Sequence, residues 1–494
     1  MKKILETLVL AALCMGLTSC DAGMMFDAFL PSAPMEEGAY PQPEEGDRFD
    51  EIEDNPFIKT SEQNVSTFSI DADGAAYGYM RRLLSSGRLP DRSSVRIEEY
   101  LNYFTFNYAD PSGDHSVAIN SEVGPCPWNE DHRLIRLGLK GKSMDLSETP
   151  AANFVFMVDV SGSMDSKDKI DLLKSSLMTL VDNLRPTDRV AIITYSSKVE
   201  KLLESTPAKE ADKIKKKIRK LVAQGSTAGG EAMKMAYEEA LANFIEGGNN
   251  RVIMGTDGDF NVGVTSTDEL LEMAQDYAAK GIYLTVCGFG TGNLNDSMME
   301  TVSNNGNGTY NHIDCEDEMM KVFVHERSKF YSVANDTKVQ VTFDPEMVDS
   351  YRLIGYENRM LSEDDFENDD KDAGEIGAGQ TITALYEIVP AVESYVDAQV
   401  AVFEARYKKS LGSESILLTD NVIDRKAPAS DRKEFNFAAG VAAFGMVLRE
   451  SEYKGTADFD MAYELVGEGL DFDPHGYRAA FQELITKASG LKQE

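Results

Sequence analysis

The stretch Asn153-Phe-Val-Phe-Met-Val-Asp-Val-Ser-Gly-Ser163 decides the fold, because an apolar run leads directly into a short polar loop. The run 153–158 predicts a buried strand, and Asp159, Ser161 and Ser163 follow it at alternate positions. One carboxylate and two hydroxyls are oxygen ligands of the kind that a small, hard cation such as Mg²⁺ prefers. The same residues also suit an ordinary strand-to-helix turn with capping serines, so this loop alone does not define a metal site.

Residues 151–330 alternate apolar strands with amphipathic helices, a pattern that predicts a mostly parallel sheet with helices on both faces. The predicted strands are 154–158, 190–195, 252–255, 283–288 and 309–313. Ligand sites in such sheets lie beyond the carboxyl ends of the strands. Two more polar loops, Gly225-Ser-Thr227 and Thr256-Asp-Gly258, occupy comparable places in the pattern. We therefore expect three loops that are distant in sequence to meet at one edge of the sheet.

These loops, DVSGSM at 159–164, GST at 225–227 and TDG at 256–258, resemble the metal-ion-dependent adhesion site of von Willebrand factor type A domains. The resemblance implies a Rossmann-like α/β fold. It implies a Mg²⁺ site, with Mn²⁺ or Ca²⁺ as alternatives, made by Asp159, Ser161, Ser163, Thr227 and Asp257. In that family the serines ligate the cation directly and the aspartates act through water, while the threonine ligates directly when a ligand is bound. The expected partner is a protein that presents an Asp or Glu side chain to the open coordination position.

The first twenty residues resemble a bacterial lipoprotein signal. Lys2 and Lys3 precede an apolar core at 8–17 that is too short to span a membrane, and Leu17-Thr-Ser-Cys20 is similar to a lipobox. We expect residues 1–19 to be removed and a lipid to be attached to Cys20. The expected location is the bacterial cell envelope, with the outer membrane or cell surface favoured over the inner membrane.

The formal net charge of −35 over 494 residues argues against nucleic acid as a partner. Downstream of the signal, the sequence has no run of the roughly 18 apolar residues that a membrane-spanning helix needs. The N-terminal lipid is therefore the only membrane contact that we expect.

Composition and hydrophobic period divide the chain further. Two alternating segments, 117–123 and 133–140, predict strands just before the central unit, and alternation returns after residue 331. We expect these strands to pair, so that the type A domain is inserted in or flanked by a β-rich domain. The predicted ranges are a signal peptide at 1–19, an acidic and proline-rich flexible tether at 20–60, an N-terminal α+β flank at 61–148, the type A domain at 151–330, a β-rich domain at 331–425 and a C-terminal helical region at 430–490.

The flanks also resemble those of bacterial type A domain lipoproteins. The segments that carry this resemblance are NPF at 55–57, STFSIDAD at 66–73, RIEEYLNYF at 96–104, and LIGYENRML, DAGEIGAG and ALYEIVP between 353 and 390. Together with the central domain, the likeness covers nearly everything after the tether.

Two acidic segments could hold Ca²⁺ but have simpler interpretations. The sequence DADG at 71–74 is too short for an EF-hand loop and predicts a turn with a helix cap. The acidic run 362–372 is typical of a solvated loop, and a secondary Ca²⁺ site there stays open.

Two other functions compete with partner binding. The cation could serve a metal-assisted hydrolase. However, the five histidines form no HExxH motif, and the sequence has no GxSxG motif. The chain could instead be an envelope assembly or scaffold module with a non-essential metal site. We expect a binding protein that is not an enzyme.

Overall fold

The computed structural model describes residues 46–226, 229–258, 266–371, 373–392, 397–426 and 431–493, which all belong to one compact unit. Cys20 and Thr227 lie outside these residues, as do the predicted signal peptide and most of the predicted tether. Within the described ranges, no helix combines the length and the apolar character that crossing a membrane requires.

The described residues form seventeen strands and twelve α-helices. Strands β1–β17 are Ile58–Lys59, Val65–Ser69, Val117–Pro125, Arg133–Gly141, Ala152–Asp159, Arg189–Tyr195, Val199–Pro207, Asn249–Thr256, Ile282–Phe289, Tyr310–Ile313, Ser332–Phe343, Val348–Ile354, Met360–Leu361, Gly374–Gly377, Thr381–Pro390, Ala398–Lys408 and Ser415–Asp424. Helices α1–α12 are Ala75–Ser85, Ile97–Asn102, Leu172–Asp182, Ala211–Ile218, Gly229–Ala242, Thr267–Ala278, Asp296–Asn305, Glu316–Met320, Glu363–Glu367, Lys433–Arg449, Phe459–Glu468 and Tyr477–Gln493.

A central sheet has the strand order β10-β9-β8-β5-β6-β7, in which every pair is parallel except β6 with β7. Strands β5 and β8 are buried at every position, as expected of strands covered on both faces. Helices α5, α6 and α7 pack on one face, and helices α3, α4 and α8 pack on the other. The predicted α/β architecture is confirmed. The sequence pattern missed the edge strand β7, because only two of its nine residues are buried.

Two antiparallel sheets lie outside this central unit. One has the order β1-β12-β15-β4-β3, and the other has the order β13-β2-β11-β16-β17 with β14 also paired to β11. Side chains from both sheets, including Leu137, Tyr386, Phe68 and Phe403, form one shared core. Strand β4 pairs with β15, with Leu137 opposite Ala384. Segments before and after the central unit therefore build the same sheets, and the expected β-rich host is confirmed.

The two crossings between the central unit and its host are held by Arg185. Its guanidinium donates to the backbone oxygens of Thr149 and Pro150, where the chain enters the unit. It also donates to the hydroxyl of Tyr331 at 3.2 Å, where the chain leaves. Asp188 accepts from the same guanidinium at 3.0 Å, so the charge is balanced. One arginine thus ties together both ends of the inserted unit.

The C-terminal helices α10–α12 share a core with α1 and α2. Helix α10 is buried along nearly its whole length. The ring of Phe437 packs against Phe104, and the ring of Phe481 packs against Tyr77 and Phe444. The apolar stripes that predicted helices here therefore serve packing.

A buried ion-pair network joins the N-terminal flank to the central unit. Arg96 contacts Glu99 of α2 at 3.0 Å, and Asp296 and Glu300 of α7 at 2.8 Å each. All four side chains are less than a tenth exposed. Burial raises the pKa of Asp296 and Glu300, and the Arg96 guanidinium opposes that rise. The two parts of the chain are therefore coupled through charge as well as apolar contact.

Two predicted ranges differ in detail. The helix expected at 316–330 consists of α8, a π-helical turn at Lys321–His325 and a 3₁₀ turn at Arg327–Phe330. The spacing of apolar residues is nearly the same through these changes of helix type, so the sequence predicted one continuous helix. The described part of the predicted flexible tether, 46–60, contacts the folded unit. Its residues include strand β1, which pairs with β12. Proline and acidic content did not reveal these backbone contacts.

Candidate metal centre

The carboxyl ends of two neighbouring parallel strands bring the predicted acidic ligands to one edge of the central sheet. Strand β5 ends at Asp159 and pairs with β8 in a register that places Val158 opposite Gly255. Strand β8 ends at Thr256, so Asp257 follows immediately beyond the same edge. Both aspartates are 0% exposed. This edge, where Asp159 and Asp257 meet, is called the rim below.

Hydrogen bonds shape the loop after β5. Asp159 accepts from the backbone N–H of Ser161 at 2.8 Å through one carboxylate oxygen, and from the Thr256 hydroxyl at 3.3 Å through the other. The Ser161 and Ser163 hydroxyls lie 2.9 Å apart. Ser161 is buried whereas Ser163 is exposed. The oxygen cluster therefore opens to solvent on the Ser163 side.

The third predicted loop also reaches the rim. Gln224 donates its backbone N–H to the carbonyl of Val160 at 2.7 Å, and Gly162 donates to the carbonyl of Gly225 at 2.9 Å. Thr227 itself lies outside the described residues, but the backbone two positions before it is bonded directly to the Asp159 loop. The structure thus brings together Asp159, Ser161, Ser163 and Asp257, and it places the approach to Thr227 beside them.

Two contributors to the rim were not predicted. Lys169 donates its ammonium to the Asp257 carboxylate at 2.9 Å and to the Asn293 side-chain oxygen at 3.0 Å. Thr256 positions Asp159 and also accepts from the backbone N–H of Gly258 at 3.2 Å. The sequence offered Thr256 within the TDG motif. Nothing in the helical period indicated that Lys169, ten residues after Asp159, would turn back toward the site.

The electrostatics of the rim favour a bound cation. Burial raises the pKa of Asp159 to about 7, hydrogen bonds from Ser161 lower it, and the nearby Asp257 carboxylate raises it further. Two carboxylates close together in a desolvated site repel each other, and a divalent cation would remove that penalty for both. Lys169 supplies one positive charge against this pair of acids.

The donors fit a hard cation. Carboxylates and hydroxyls are the ligand types of Mg²⁺, Ca²⁺ and Mn²⁺, whereas thiolates and imidazoles favour softer metals. Over the described ranges, no cluster of three or more His, Cys, Asp or Glu side chains is arranged to hold a metal. The rim differs from such clusters because it combines two carboxylates with hydroxyl oxygens.

The fold and this rim together define a von Willebrand factor type A domain protein. The sequence profile of that domain matches residues 153–324, and a profile described as von Willebrand factor matches residues 43–136. The profile of the C-terminal region of the uncharacterized protein YfbK matches residues 328–491. The chain is 36% identical to the uncharacterized protein YfbK of Escherichia coli K12 over 471 residues, which cover 90% of this chain and 81% of that relative. The chain belongs to the YfbK family.

Solved structures with a similar fold include a von Willebrand factor type A protein from Catenulispora acidiphila. It is 15% identical, with a TM-score of 0.43, over 78% of this chain and 90% of that one. Another is proximal thread matrix protein 1 from the mussel byssus, whose metal-ion-dependent adhesion site motif is occupied by zinc. It is 21% identical, with a TM-score of 0.30, over 35% of this chain and 44% of that one.

Proposed function

We propose that this protein is a lipid-anchored receptor of the bacterial cell envelope that binds a protein partner through a divalent cation. Type A domain proteins mediate protein interactions, which supports the general role. The observation that carries the specific proposal is the convergence of Asp159, Ser161, Ser163 and Asp257 on one rim that opens to solvent at Ser163. The partner presents an Asp or Glu side chain, and Mg²⁺ is the preferred cation, with Mn²⁺ or Ca²⁺ as alternatives.

Each residue of the rim has a distinct part in this proposal. Ser161 and Ser163 offer hydroxyl oxygens, and Thr227 is proposed as a third hydroxyl ligand. The backbone N–H of Ser161 and the hydroxyl of Thr256 orient the Asp159 carboxylate, which carries the negative charge. The cation, when bound, supplies a positive centre that reverses the local sign of the field and attracts a carboxylate. A very acidic protein can therefore accept an acidic partner at this point.

We propose a binding role rather than a hydrolytic one. The sequence carries neither an HExxH nor a GxSxG motif to supply a base or nucleophile beside the cation. We also propose that the lipid on Cys20 is the sole membrane anchor, with the outer membrane or cell surface as its location. Replacing Cys20 with Ser should move the protein from the membrane fraction to the soluble fraction and abolish incorporation of labelled fatty acid.

The central test measures cation binding and partner capture by the full chain in detergent. Asp159→Asn keeps the size of the side chain but removes its negative charge, so calorimetric binding of Mg²⁺ and Mn²⁺ should weaken at least tenfold. Affinity capture from solubilised membranes should lose the proteins that EDTA also releases. Asp171→Ala serves as the matched control, because its side chain is 62% exposed and lies in the following helical turn.

The outcome that contradicts the proposal is simple to recognise. If Asp159→Asn captures the same proteins as the wild type and EDTA has no effect on either, the rim does not bind partners through a cation. Release of a partner's cleaved product during capture would instead favour the hydrolase.

A further inference from the structure

A concentrated basic face stands out on this acidic protein. Between Lys209 and Lys220 the chain carries seven lysine or arginine residues and two acidic residues, although its formal net charge is −35. This segment includes helix α4, Ala211–Ile218. A local excess of positive charge in such a chain needs a reason beyond solubility, because the rest of the surface already provides a large net charge.

The packing of α4 turns these cations toward solvent. Ile214 and Ile218 are 0% exposed and pack into the core beneath the central sheet. Between and after them, Lys216, Arg219 and Lys220 are exposed. We call the exposed set the basic face: Lys209, Lys213, Lys216, Arg219 and Lys220.

Most of this charge is not neutralised within the protein. Lys213 lies 3.4 Å from Glu210, and this pair is exposed. Among the residues that the structure describes, no salt bridge reaches Lys216, Arg219 or Lys220. Exposed ion pairs contribute little to stability. These side chains are therefore available for an external anion.

The basic face continues directly into the metal rim. Leu221 is buried, and Gln224 bonds to Val160 in the Asp159 loop at 2.7 Å. Gln224 comes four positions after Lys220, so these two positions are at most about 14 Å apart. Val222, between them, is 64% exposed. The Lys220 end of the basic face therefore lies within about 14 Å of the backbone that contacts the Asp159 loop.

We propose that the basic face is the second half of the partner-binding surface, and that it selects an acidic protein segment. One carboxylate of that segment would meet the cation at the rim, and the carboxylates that follow would pair with Lys216, Arg219 and Lys220. This inference rests on the proposed function, and it adds the chemistry of the partner. Helix α4 is about 12 Å long, which suits a short peptide segment. An extended anionic surface, such as a bilayer or a nucleic-acid duplex, would meet the remaining negative charge of the protein.

The probe is a fluorescent ten-residue peptide of alternating Glu and Gly, compared with a peptide that has Gln in place of Glu. Fluorescence anisotropy with the full chain in detergent is measured at low and high salt, with Mg²⁺ or with EDTA. The test variant combines Lys216→Glu, Arg219→Glu and Lys220→Glu. The matched control reverses three exposed cations elsewhere in the protein: Lys280→Glu, Lys409→Glu and Lys487→Glu. Circular dichroism and Mg²⁺ calorimetry verify that both variants fold.

The test variant should bind the Glu peptide at least tenfold more weakly than the wild type, whereas the control variant stays within twofold. High salt should weaken wild-type binding strongly, and the Gln peptide should not bind. Equal binding by the test variant and the wild type overturns the proposal. Binding of the wild type to phosphatidylglycerol vesicles or a 20-base-pair DNA duplex in preference to the Glu peptide also overturns it.

The two proposals can fail separately. The test variant could lose binding of the Glu peptide while EDTA leaves the wild-type affinity unchanged and the Asp159→Asn variant binds as well as the wild type. The basic face would then stand and the cation-dependent receptor would fail. Alternatively, the wild type and the test variant could have the same affinity for the Glu peptide, and Mg²⁺ could strengthen that binding equally in both. The receptor would then stand and the basic face would fail.

Discussion

Replacing Lys169 with Met should make the stability of this protein depend strongly on divalent cations. The Lys169 ammonium lies 2.9 Å from the Asp257 carboxylate, and their side chains are 12% and 0% exposed. At this 2.9 Å separation and an effective dielectric constant of about 20, the attraction is roughly 6 kcal/mol. Breaking a buried pair by removing one partner costs about 3–5 kcal/mol, because the other charge stays buried. Met retains most of the aliphatic stem, so the change mainly removes the charge.

In EDTA, the free energy of unfolding of Lys169→Met should therefore be about 3 kcal/mol below that of the wild type. A cation at 100 times its dissociation constant should restore about 2.7 kcal/mol, since it binds only the folded state. Urea unfolding in EDTA and in MgCl₂, followed by circular dichroism, measures both quantities. Lys167→Met is the control, because Lys167 is exposed in the same helical turn. Equal stability of Lys169→Met and wild type in EDTA would refute this reasoning.

Three further predictions concern other positions. Gly258→Ala should destabilise the protein by at least about 2 kcal/mol and weaken Mg²⁺ binding, because its φ is +96° and a Cβ would lie 2.7 Å from the backbone nitrogen of Asn295. Gly292→Ala is the control: its φ is +103°, but a Cβ there meets open space, so it should destabilise the protein less. Thermal unfolding measures the stability of both variants, and calorimetry measures their Mg²⁺ binding. Burial lowers the pKa of His312 from 6.5 to about 4. The unfolded chain thus binds more protons between these pH values, and stability falls by about 3 kcal/mol on acidification through them. His312→Leu should remove this share, as measured by urea unfolding at pH 7 and pH 4.5, and an unchanged pH dependence would contradict it. Arg96→Met should lower the free energy of unfolding in urea by at least about 3 kcal/mol, because three buried carboxylates lose their shared cation. A smaller loss would contradict this prediction and would show that the carboxylates protonate instead.

The sequence was sufficient to predict the five parallel strands of the central sheet and the meeting of its loops. Both follow from local patterns: the apolar run before Asp159 predicts a strand covered on both faces, and parallel strands place their carboxyl ends together. The pairing of segment 133–140 with a strand after residue 331 was also predictable, because the alternating segments on either side of the central unit need partner strands. These inferences use the spacing of apolar residues along the sequence and the general rules of sheet topology.

The remaining features depend on tertiary contacts that leave little local trace. Lys169 reaches Asp257 because the helical turn after the polar loop folds back over the rim, and a lysine on a helix ordinarily predicts solvent exposure. The changes of pitch within 316–330 leave the apolar spacing intact, so periodicity cannot detect them. Segment 46–60 has the composition of a linker, yet its backbone and carboxylates find partners on the central unit, on the β-rich host and on helix α10. Each of these features depends on the three-dimensional arrangement of the chain, which composition and hydrophobic period do not record.

The attachment of segment 46–50 beside the rim has a mechanical consequence. Asp47 accepts from the backbone N–H groups of Gly292 and Leu294 at 2.6 and 2.9 Å, and Arg48 forms a parallel bridge with Asn295. The Asn293 side chain in the same loop holds Lys169 against Asp257. A force applied through segment 46–50 would therefore reach, by way of Asp47, the loop that positions Lys169 beside the Asp257 carboxylate.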